Sequence, residues 1–259
     1  MEGTFGLCLP ACLRVWLDIR CSHADLRREH LLMGLNFLQS YRPEDVACPV
    51  FKISAKNYRK WVWIIINCIA NLDYIHWEDR WENWSQLVPS FTLDGTDLWV
   101  FEQSFFDKND MSHKFKHAGL RYEIGLAIGV SKIVHVAGGV PCGSWPDIRL
   151  ARHCVVPKLI KGEKPSADKG YRDGRKHFFT PIEHPSSEKN HLLNRQLKLL
   201  QARHEMVNKR FKDFRCLKEQ FRHSRKQHQV VFAACANLVQ LKLIEQPLLW
   251  VSYILGSQC

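Results

Sequence analysis

Two aspartates occupy sequence settings in which they could do chemistry. Asp94 lies in the run FTLDGTDLWV, between apolar residues and directly before a glycine. A charge inside a strand that otherwise predicts burial requires compensation, and a metal ion provides the strongest compensation. Asp168 closes the short run EKPSADKGY, at the end of a predicted strand, where site residues concentrate. Both residues are therefore candidate ligands of a cation.

Glu205 is the third candidate acid. It lies in the predicted helix QARHEMVNKRFKDFR, where steps of three, four and seven residues place Asn208, Lys209 and Lys212 on the same face. One acid and two cations thus share one side of this helix.

Each acid also has an ordinary explanation when it is considered alone. Asp94 fits a β-bulge beside a glycine, Asp168 fits a turn, and Glu205 fits a solvated helix surface. The case for a site therefore depends on the order and the neighbours of the three residues. Their separations are 74 residues (168 − 94) and 37 residues (205 − 168).

The segments around these acids predict an α/β domain. Three runs rich in β-branched or aromatic residues predict consecutive antiparallel strands, namely PSFTLDGTDLWVFEQ, GLRYEIGLAIG and SKIVHVAGGVPCG. A helix over 146–154 follows, with Asp147 in its first turn as a charge that complements the helix dipole. A short strand ending at Asp168 and helices over 190–217 and 230–248 complete the prediction.

The chain before residue 89 predicts a separate helical region. One helix is expected to end at Ser40, and Ser54 is a good N-cap for a second. The predicted apolar stripe of that second helix consists of Trp61, Ile64, Ile65, Cys68, Ile69 and Leu72. Its first turns carry Lys56, Arg59 and Lys60, where a helix-turn-helix module presents its DNA-contacting side chains. The alternative is a solvated helix start that happens to be basic.

Composition favours a polyanionic partner. The 37 Lys and Arg against 26 Asp and Glu give a net charge of +11, and binding to a phosphate backbone releases counterions. Nucleic acid is the leading partner and an anionic membrane surface the second.

No apolar run reaches the roughly 20 residues of a membrane helix, which predicts a soluble protein. The ten scattered cysteines predict mostly free thiols, with a zinc site at Cys8, Cys12, Cys21 and His23 as the weaker alternative.

Four motifs follow one another in the order LDGTD, GGVPCGSWPDI, SADKGY and ARHEMVNKRFKDF. Through them the chain resembles the Harbinger-type DDE endonuclease group of eukaryotic transposases, over about residues 90–245. The stretch from HLLMGLNFLQSYRP to SAKNYRKWVW resembles the helix-turn-helix that precedes the catalytic domain in such transposases. The resemblance implies a ribonuclease H-like mixed sheet flanked by helices over 89–250, preceded by a small all-α, helix-turn-helix-like DNA-binding region over 1–88.

The resemblance further implies a divalent-metal-dependent DNA endonuclease and strand transferase. Its catalytic residues and metal ligands would be Asp94, Asp168 and Glu205, the DDE triad of the family. Three carboxylates can hold two Mg²⁺ or Mn²⁺ ions about 3.5 to 4 Å apart, because hard oxygen ligands suit hard cations. Such ions activate the attacking water or 3′-hydroxyl and stabilise the leaving 3′-oxygen of an in-line displacement at phosphorus.

The implied partner is DNA, and the implied location is the nucleus. The expected DNA contacts are Arg203, Lys209 and Lys212 beside the metals, and Lys56, Arg59 and Lys60 on the recognition helix. A homo-oligomer and a separate DNA-binding partner protein are further expectations, whereas a membrane is not. The alternative function is that of a domesticated or decayed transposase that binds DNA without cutting it. Asp147 matches an acidic position of the family motif, but its place at a helix start explains it as a structural charge.

Overall fold

The computed structural model describes residues 2–102 and 106–248, so the last two residues of the predicted domain 89–250 lie outside the described part. The described residues form four strands and nine α-helices. The strands are β1 (Phe91–Trp99), β2 (Gly119–Ala127), β3 (Ile133–Pro141) and β4 (Ser166–Ala167). The helices are α1 (Glu2–Phe5), α2 (Leu9–Ile19), α3 (Arg28–Ser40), α4 (Glu44–Phe51), α5 (Ala55–Ala70), α6 (Asp147–Cys154), α7 (Glu188–Lys212), α8 (Arg215–Lys218) and α9 (Arg225–Glu245).

The four strands form one mixed sheet in the order β3-β2-β1-β4. Strands β2 and β3 are antiparallel, as a short connection between neighbouring strands allows. Strand β4 runs parallel to β1. A strand that joins a sheet in parallel requires a crossover connection, and the chain between β3 and β4 contains α6. The prediction of an α/β fold with a mixed sheet and flanking helices is confirmed at this level.

Alternation along β1 turns its side chains towards two different helices. Phe91 and Leu93 belong to a buried cluster that includes Ala151 and Val155 around α6. Thr92, one residue along, lies within hydrogen-bonding distance of His204 on α7. Successive strand residues face opposite sides of a sheet, so β1 lies between α6 and α7.

Packing divides the described residues into two compact units. The first consists of residues 2–74, 99–101 and 209–245, and the second of residues 75–98, 102, 106–208 and 246–248. The first division falls near residue 74, whereas the sequence predicted a boundary near residue 88. The reason is that Trp77 packs against the core around β1, and Arg80 forms a buried ion pair with Glu163 at 3.0 Å. Helix α9 belongs to the first unit, where Asn237 donates a hydrogen bond to the Ile69 carbonyl at 2.9 Å.

Helix α5 begins where the sequence predicted, since the Ser54 hydroxyl accepts a hydrogen bond from the Asn57 amide at 3.4 Å. Its buried face differs from the predicted stripe. The fully buried residues of α5 are Tyr58, Val62, Ile65, Ile66 and Ile69. Trp61 and Ile64 are only partly buried. The face is rotated because α5 packs against both α3 and α9 within this unit.

Within the described residues, none of the helices combines the length and the apolar content needed to cross a bilayer. The nine cysteines of this part of the chain form no disulfide. In the same residues no three His, Cys, Asp or Glu side chains are grouped so that they could hold a metal ion, and this includes the set Cys8, Cys12, Cys21 and His23.

Candidate acidic site

The parallel pairing of β1 with β4 brings Asp94 and Asp168 together. Leu93 lies opposite Ala167 in this register, so the next residue of each strand lies at the same level. Neighbouring strands are about 4.8 Å apart. Two carboxylates placed in this way repel each other, and the Asp168 charge contributes to a raised pKa of Asp94. The sheet therefore positions both aspartates that the sequence singled out.

The Asp94 carboxylate is held from two directions. Its Oδ1 accepts a hydrogen bond from the Gly95 amide at 2.9 Å, and its Oδ2 accepts one from the Asn208 side chain at 2.8 Å. Burial, reinforced by the charge of Asp168, raises the pKa of Asp94 to about 6, although Lys114 and the two hydrogen bonds oppose the shift. Asp94 thus carries a negative charge that its surroundings only partly compensate.

Asp168 lies at the end of β4, where the chain turns into a short 3₁₀ helix over Lys169–Tyr171. Its Oδ1 accepts a hydrogen bond from the Gly170 amide at 2.8 Å. This bond caps the short helix, so the ordinary explanation of a turn aspartate also applies. The cap fixes the orientation of the carboxylate beside β1.

Glu205 is exposed on α7. At 100° per residue it lies about 60° around the helix from Asn208, on the side of α7 that approaches Asp94. The described residues nevertheless contain no set of three acidic, histidine or cysteine side chains close enough to hold a metal ion. The structure therefore brings the two aspartates together but does not gather Glu205 with them as a third ligand.

His204, which the sequence analysis did not single out, faces the strand in place of Glu205. It is almost fully buried, and its Nδ1 lies 3.0 Å from the Thr92 hydroxyl. The same hydroxyl lies 3.2 Å from the Leu126 carbonyl, which can only accept. Thr92 must therefore donate to Leu126 and accept from Nδ1–H of His204. Nε2 then carries the lone pair, and it has no hydrogen-bond partner among the described residues.

A small cavity separates the two strands from α7. Its volume open to water is about 10 Å³, which is enough for about one water molecule. Asp94, Asp168, Gln201 and His204 contribute to its lining. Burial lowers the pKa of His204 to about 3, so the imidazole is neutral there. The sequence signal for this residue was its place in the apolar stripe of the helix, between Leu200 and Val207.

Asp147 lies on the other side of β1. The sequence explained it as a helix-start charge, and it is indeed the first residue of α6. Its Oδ1 lies 3.2 Å from Arg121 Nε and so close to Gly95 that a Cβ on Gly95 would be 2.1 Å away. Its Oδ2 and the Asp168 Oδ1 lie 3.6 and 3.1 Å from the corresponding position on Gly170. Asp147 is therefore also a member of the acidic site.

A bidentate ion pair lies beside Asp147. Arg121 donates from Nε and Nη2 to the two oxygens of Asp97 at 2.8 and 3.0 Å. Burial alone would raise the pKa of Asp97, but the hydrogen bonds from Arg121 and Ser112 hold it below its usual value. The single positive charge of Arg121 is thus shared between Asp97 and Asp147.

Behind the site, Glu123 on β2 is fully buried. Its Oε2 lies 3.8 Å from His135 Nε2, and its carboxyl group also interacts with the Tyr171 side chain. Burial raises the pKa of Glu123 well above its usual value, and the charges of Asp147 and Asp94 add to this effect.

The residues expected to contact DNA differ in whether they are buried or exposed. Arg203 is buried, and its guanidinium donates to the carbonyls of Ala127, Ile128 and Val130 at 3.4, 3.2 and 3.3 Å. The expectation that Arg203 contacts DNA is therefore wrong, because a guanidinium bonded to its own protein backbone is not available to a phosphate. Lys209 and Lys212 are exposed.

The basic residues at the start of α5 also lie on the surface. Lys56, Arg59 and Lys60 are exposed, although Arg59 pairs with Glu44 at 2.9 Å and Lys60 lies 4.9 Å from the centre of the Trp61 ring. An exposed ion pair such as that of Arg59 contributes little to stability, so it leaves the guanidinium accessible to a polyanion.

Comparison of the chain with models of protein families, with curated protein sequences and with solved structures gives no significant match in any of the three.

Proposed function

We propose that this chain is a DDE-type, divalent-metal-dependent DNA endonuclease and strand transferase with a ribonuclease H-like catalytic domain. The observation that carries the proposal is the pairing of Asp94 with Asp168 at one level of two parallel strands. The strand order, with β1 inside the sheet and α7 following β4, supports the same interpretation. Glu205, on the side of α7 that approaches Asp94, is the proposed third acid.

The chemistry of the site fits divalent cations. Its donors are carboxylate oxygens, which suit Mg²⁺ or Mn²⁺. The acids Asp94, Asp97, Asp147 and Asp168 surround two cations, Arg121 and Lys114, which leaves two negative charges among these groups. Bound metal would supply that positive charge and would activate a water or 3′-hydroxyl for attack at phosphorus.

The chain's own residues orient the two proposed ligands. The Gly95 amide and the Asn208 side chain hold the Asp94 carboxylate, and the Gly170 amide holds Asp168. Asp94 and Asp168 would hold the metal directly. His204 and Thr92 attach α7 to β1 just below these carboxylates, which excludes bulk water from the buried side of the site.

The helical region supports a role in DNA recognition. Helices α4 and α5 are joined by the three residues 52–54, which is the length of the turn in helix-turn-helix modules. Lys56, Arg59 and Lys60 lie exposed on the first turns of α5. We propose these residues as DNA contacts, together with Lys209 and Lys212. The nuclear location and the partner proteins implied by the family resemblance are part of the same proposal.

A second candidate is a DNA-binding protein that has kept the domain without cutting. The observation that favours it is that both oxygens of Asp94 already accept hydrogen bonds from the protein, while Glu205 does not join the two aspartates. In that case the acidic site would be structural, and the basic surface would carry the function.

A nicking assay with matched binding measurements separates the two candidates. Supercoiled plasmid is incubated with the protein in Mn²⁺, Mg²⁺ or EDTA, and binding to the same DNA is measured at several salt concentrations. Metal-dependent nicking that is lost in the variant Asp94→Asn/Asp168→Asn and kept in the exposed control Asp25→Asn supports the nuclease. Salt-sensitive binding without nicking in either metal supports the second candidate. Absence of salt-sensitive binding contradicts both.

A further inference from the structure

The turn before β2 carries a lysine that points back to the acidic site. The Ser112 amide donates to the His117 carbonyl and the Lys116 amide donates to the Ser112 carbonyl, each at 2.9 Å. The Ser112 hydroxyl donates to Asp97 at 2.6 Å and also accepts from the Lys114 amide at 3.2 Å. The turn is thus closed on itself and attached to β1.

This anchored turn delivers the Lys114 ammonium to the residue next to Asp94. Lys114 Nζ donates to the Gly95 carbonyl at 3.1 Å. Its positive charge lowers the pKa values of Asp94, Asp97 and Asp147, in each case against the effect of burial. Lys114 as a whole is exposed, so a cation on a flexible stem lies at the open side of the acidic site.

Neutralisation of Asp97 and Asp147 does not by itself explain this lysine. Asp97 already has the bidentate bond from Arg121, and Asp147 is paired with the same guanidinium. The Lys114 ammonium has one hydrogen bond to a carbonyl within the described residues, which leaves two of its three protons for another acceptor.

A nucleic acid that approaches Asp94 and Asp168 meets negative charge, so its backbone requires a cation beside these residues. Arg203 cannot supply it, because its guanidinium is bonded to three carbonyls inside the domain. Within unit 2, the Lys114 ammonium lies beside the Gly95 carbonyl and acts on the Asp94 charge.

We propose that Lys114 binds a backbone phosphate of the DNA strand at the acidic site, in the position that the sequence analysis assigned to Arg203. The proposal rests on the proposed nuclease function, since it presupposes a phosphodiester beside Asp94. A compact ammonium suits this role, because lysine binds phosphate as a point charge and adapts its position through a flexible stem.

The test is DNA binding by Lys114→Ala, Lys114→Arg and the control Lys116→Asn, which removes a charge from the same turn and keeps the left-handed backbone that Lys116 adopts at a φ of 61°. Affinity for a 30-base-pair duplex is measured without metal and in Ca²⁺ over a range of salt concentrations. Thermal unfolding of each variant is measured in parallel.

We expect Lys114→Ala to bind about three- to tenfold more weakly at low salt and to lose about 0.9 from the slope of log affinity against log salt, the contribution of one phosphate. Lys114→Arg keeps the wild-type slope, and Lys116→Asn changes affinity less than twofold. An unchanged slope in Lys114→Ala, or an equal loss in Lys116→Asn, overturns the proposal for Lys114. If the wild-type protein itself shows no salt-dependent binding, the proposed function fails along with it.

Discussion

The Asp94 carboxylate and the Asn208 amide, 114 positions apart in the chain, form a 2.8 Å hydrogen bond that joins the central strand to α7. The bond places the predicted metal ligand of β1 one helical turn from Glu205. In this bond one oxygen of Asp94 is the acceptor, so the bond affects both the orientation of the carboxylate and its pKa.

Removal of the Asn208 side chain should destabilise the ionised form of Asp94. The variant Asn208→Ala loses a hydrogen bond to a charged group, which typically contributes about 1.5 to 3 kcal/mol. Because that bond lowers the pKa of Asp94, its loss should raise the pKa above about 6. Urea unfolding should therefore show a larger loss at pH 7.5 than at pH 4.5, where Asp94 is protonated in both proteins.

The exposed α7 residue Lys198 provides the control for this experiment. Lys198→Ala should leave the free energy of unfolding within about 0.5 kcal/mol of the wild-type value at both pH values. Equal losses at the two pH values in Asn208→Ala would show that the bond does not depend on the charge of Asp94.

The three acids should be separable from DNA binding. We expect Asp94→Asn, Asp168→Asn and Glu205→Gln each to abolish metal-dependent cleavage, because each removes a proposed ligand of the ions that activate the nucleophile. DNA affinity should change less than about threefold, since binding depends mainly on cations. Single-turnover cleavage and fluorescence anisotropy measure the two quantities, with Glu188→Gln at the start of α7 as a control. A variant that still cuts at the wild-type rate removes that residue from the site.

A side chain on Gly95 should clash with Asp147. A Cβ at position 95 would lie 2.1 Å from Oδ1 and 2.8 Å from Cγ of Asp147. Gly95→Ala should therefore cost about 1 to 3 kcal/mol in the free energy of unfolding, the range for overpacking a core. Gly3→Ala is the control, because nothing lies within 4 Å of its Cβ position.

The double variant Gly95→Ala/Asp147→Ala tests whether the clash is the cause. If it is, the double variant should be more stable than the sum of the two single losses predicts, measured as a double-mutant cycle. Strict additivity of the two losses would contradict the contact between Gly95 and Asp147.

His204 should make stability depend on pH in a defined window. Burial lowers its folded pKa to about 3, whereas an unfolded histidine titrates near about 6.5. Below that value the unfolded state binds a proton that the folded state does not, so stability is lost as the pH falls from about 6.5 towards 3. His204→Asn retains an amide donor for Thr92 and lacks this titration.

The stability advantage of the wild-type protein over His204→Asn should therefore fall by about 2 to 3 kcal/mol between pH 7.5 and pH 4.5. Urea unfolding at the two pH values measures it. The exposed His184 serves as the control, because His184→Asn should show no such change. A constant difference between the wild type and His204→Asn would show that His204 is not buried in its neutral form.

Much of the local structure followed from the sequence because it depends on neighbouring residues. Strands β1 to β4 and helix α6 lie within the predicted segments, since β-branched runs, glycine turns and a proline helix start act over a few residues. The Ser54 cap of α5 is local in the same sense. The predicted buried face of α5 was right at Ile65 and Ile69 and wrong at Trp61 and Ile64, because the neighbours α3 and α9 come from distant parts of the chain.

In the acidic site, too, some features could be predicted from the sequence and others depend on the tertiary structure. Asp94 could be singled out as a charge among apolar strand residues, and Asp168 as an acid at the end of a strand. Their actual proximity depends on the register that pairs Leu93 with Ala167, and this register is a tertiary property. Arg203 could not be assigned from its charge, because only packing shows that its guanidinium bonds to carbonyls of the β2 end and the following turn.

The sequence alone determined the α/β character, the basic surface and the order of the three acids, because composition and short-range pattern contain that information. Tertiary structure alone decided that Asp147, His204 and Lys114 lie around Asp94 and Asp168. Each of these residues comes from a different helix or turn, and contacts between such elements are fixed by the crossover through α6 and by the packing of α7 on β1.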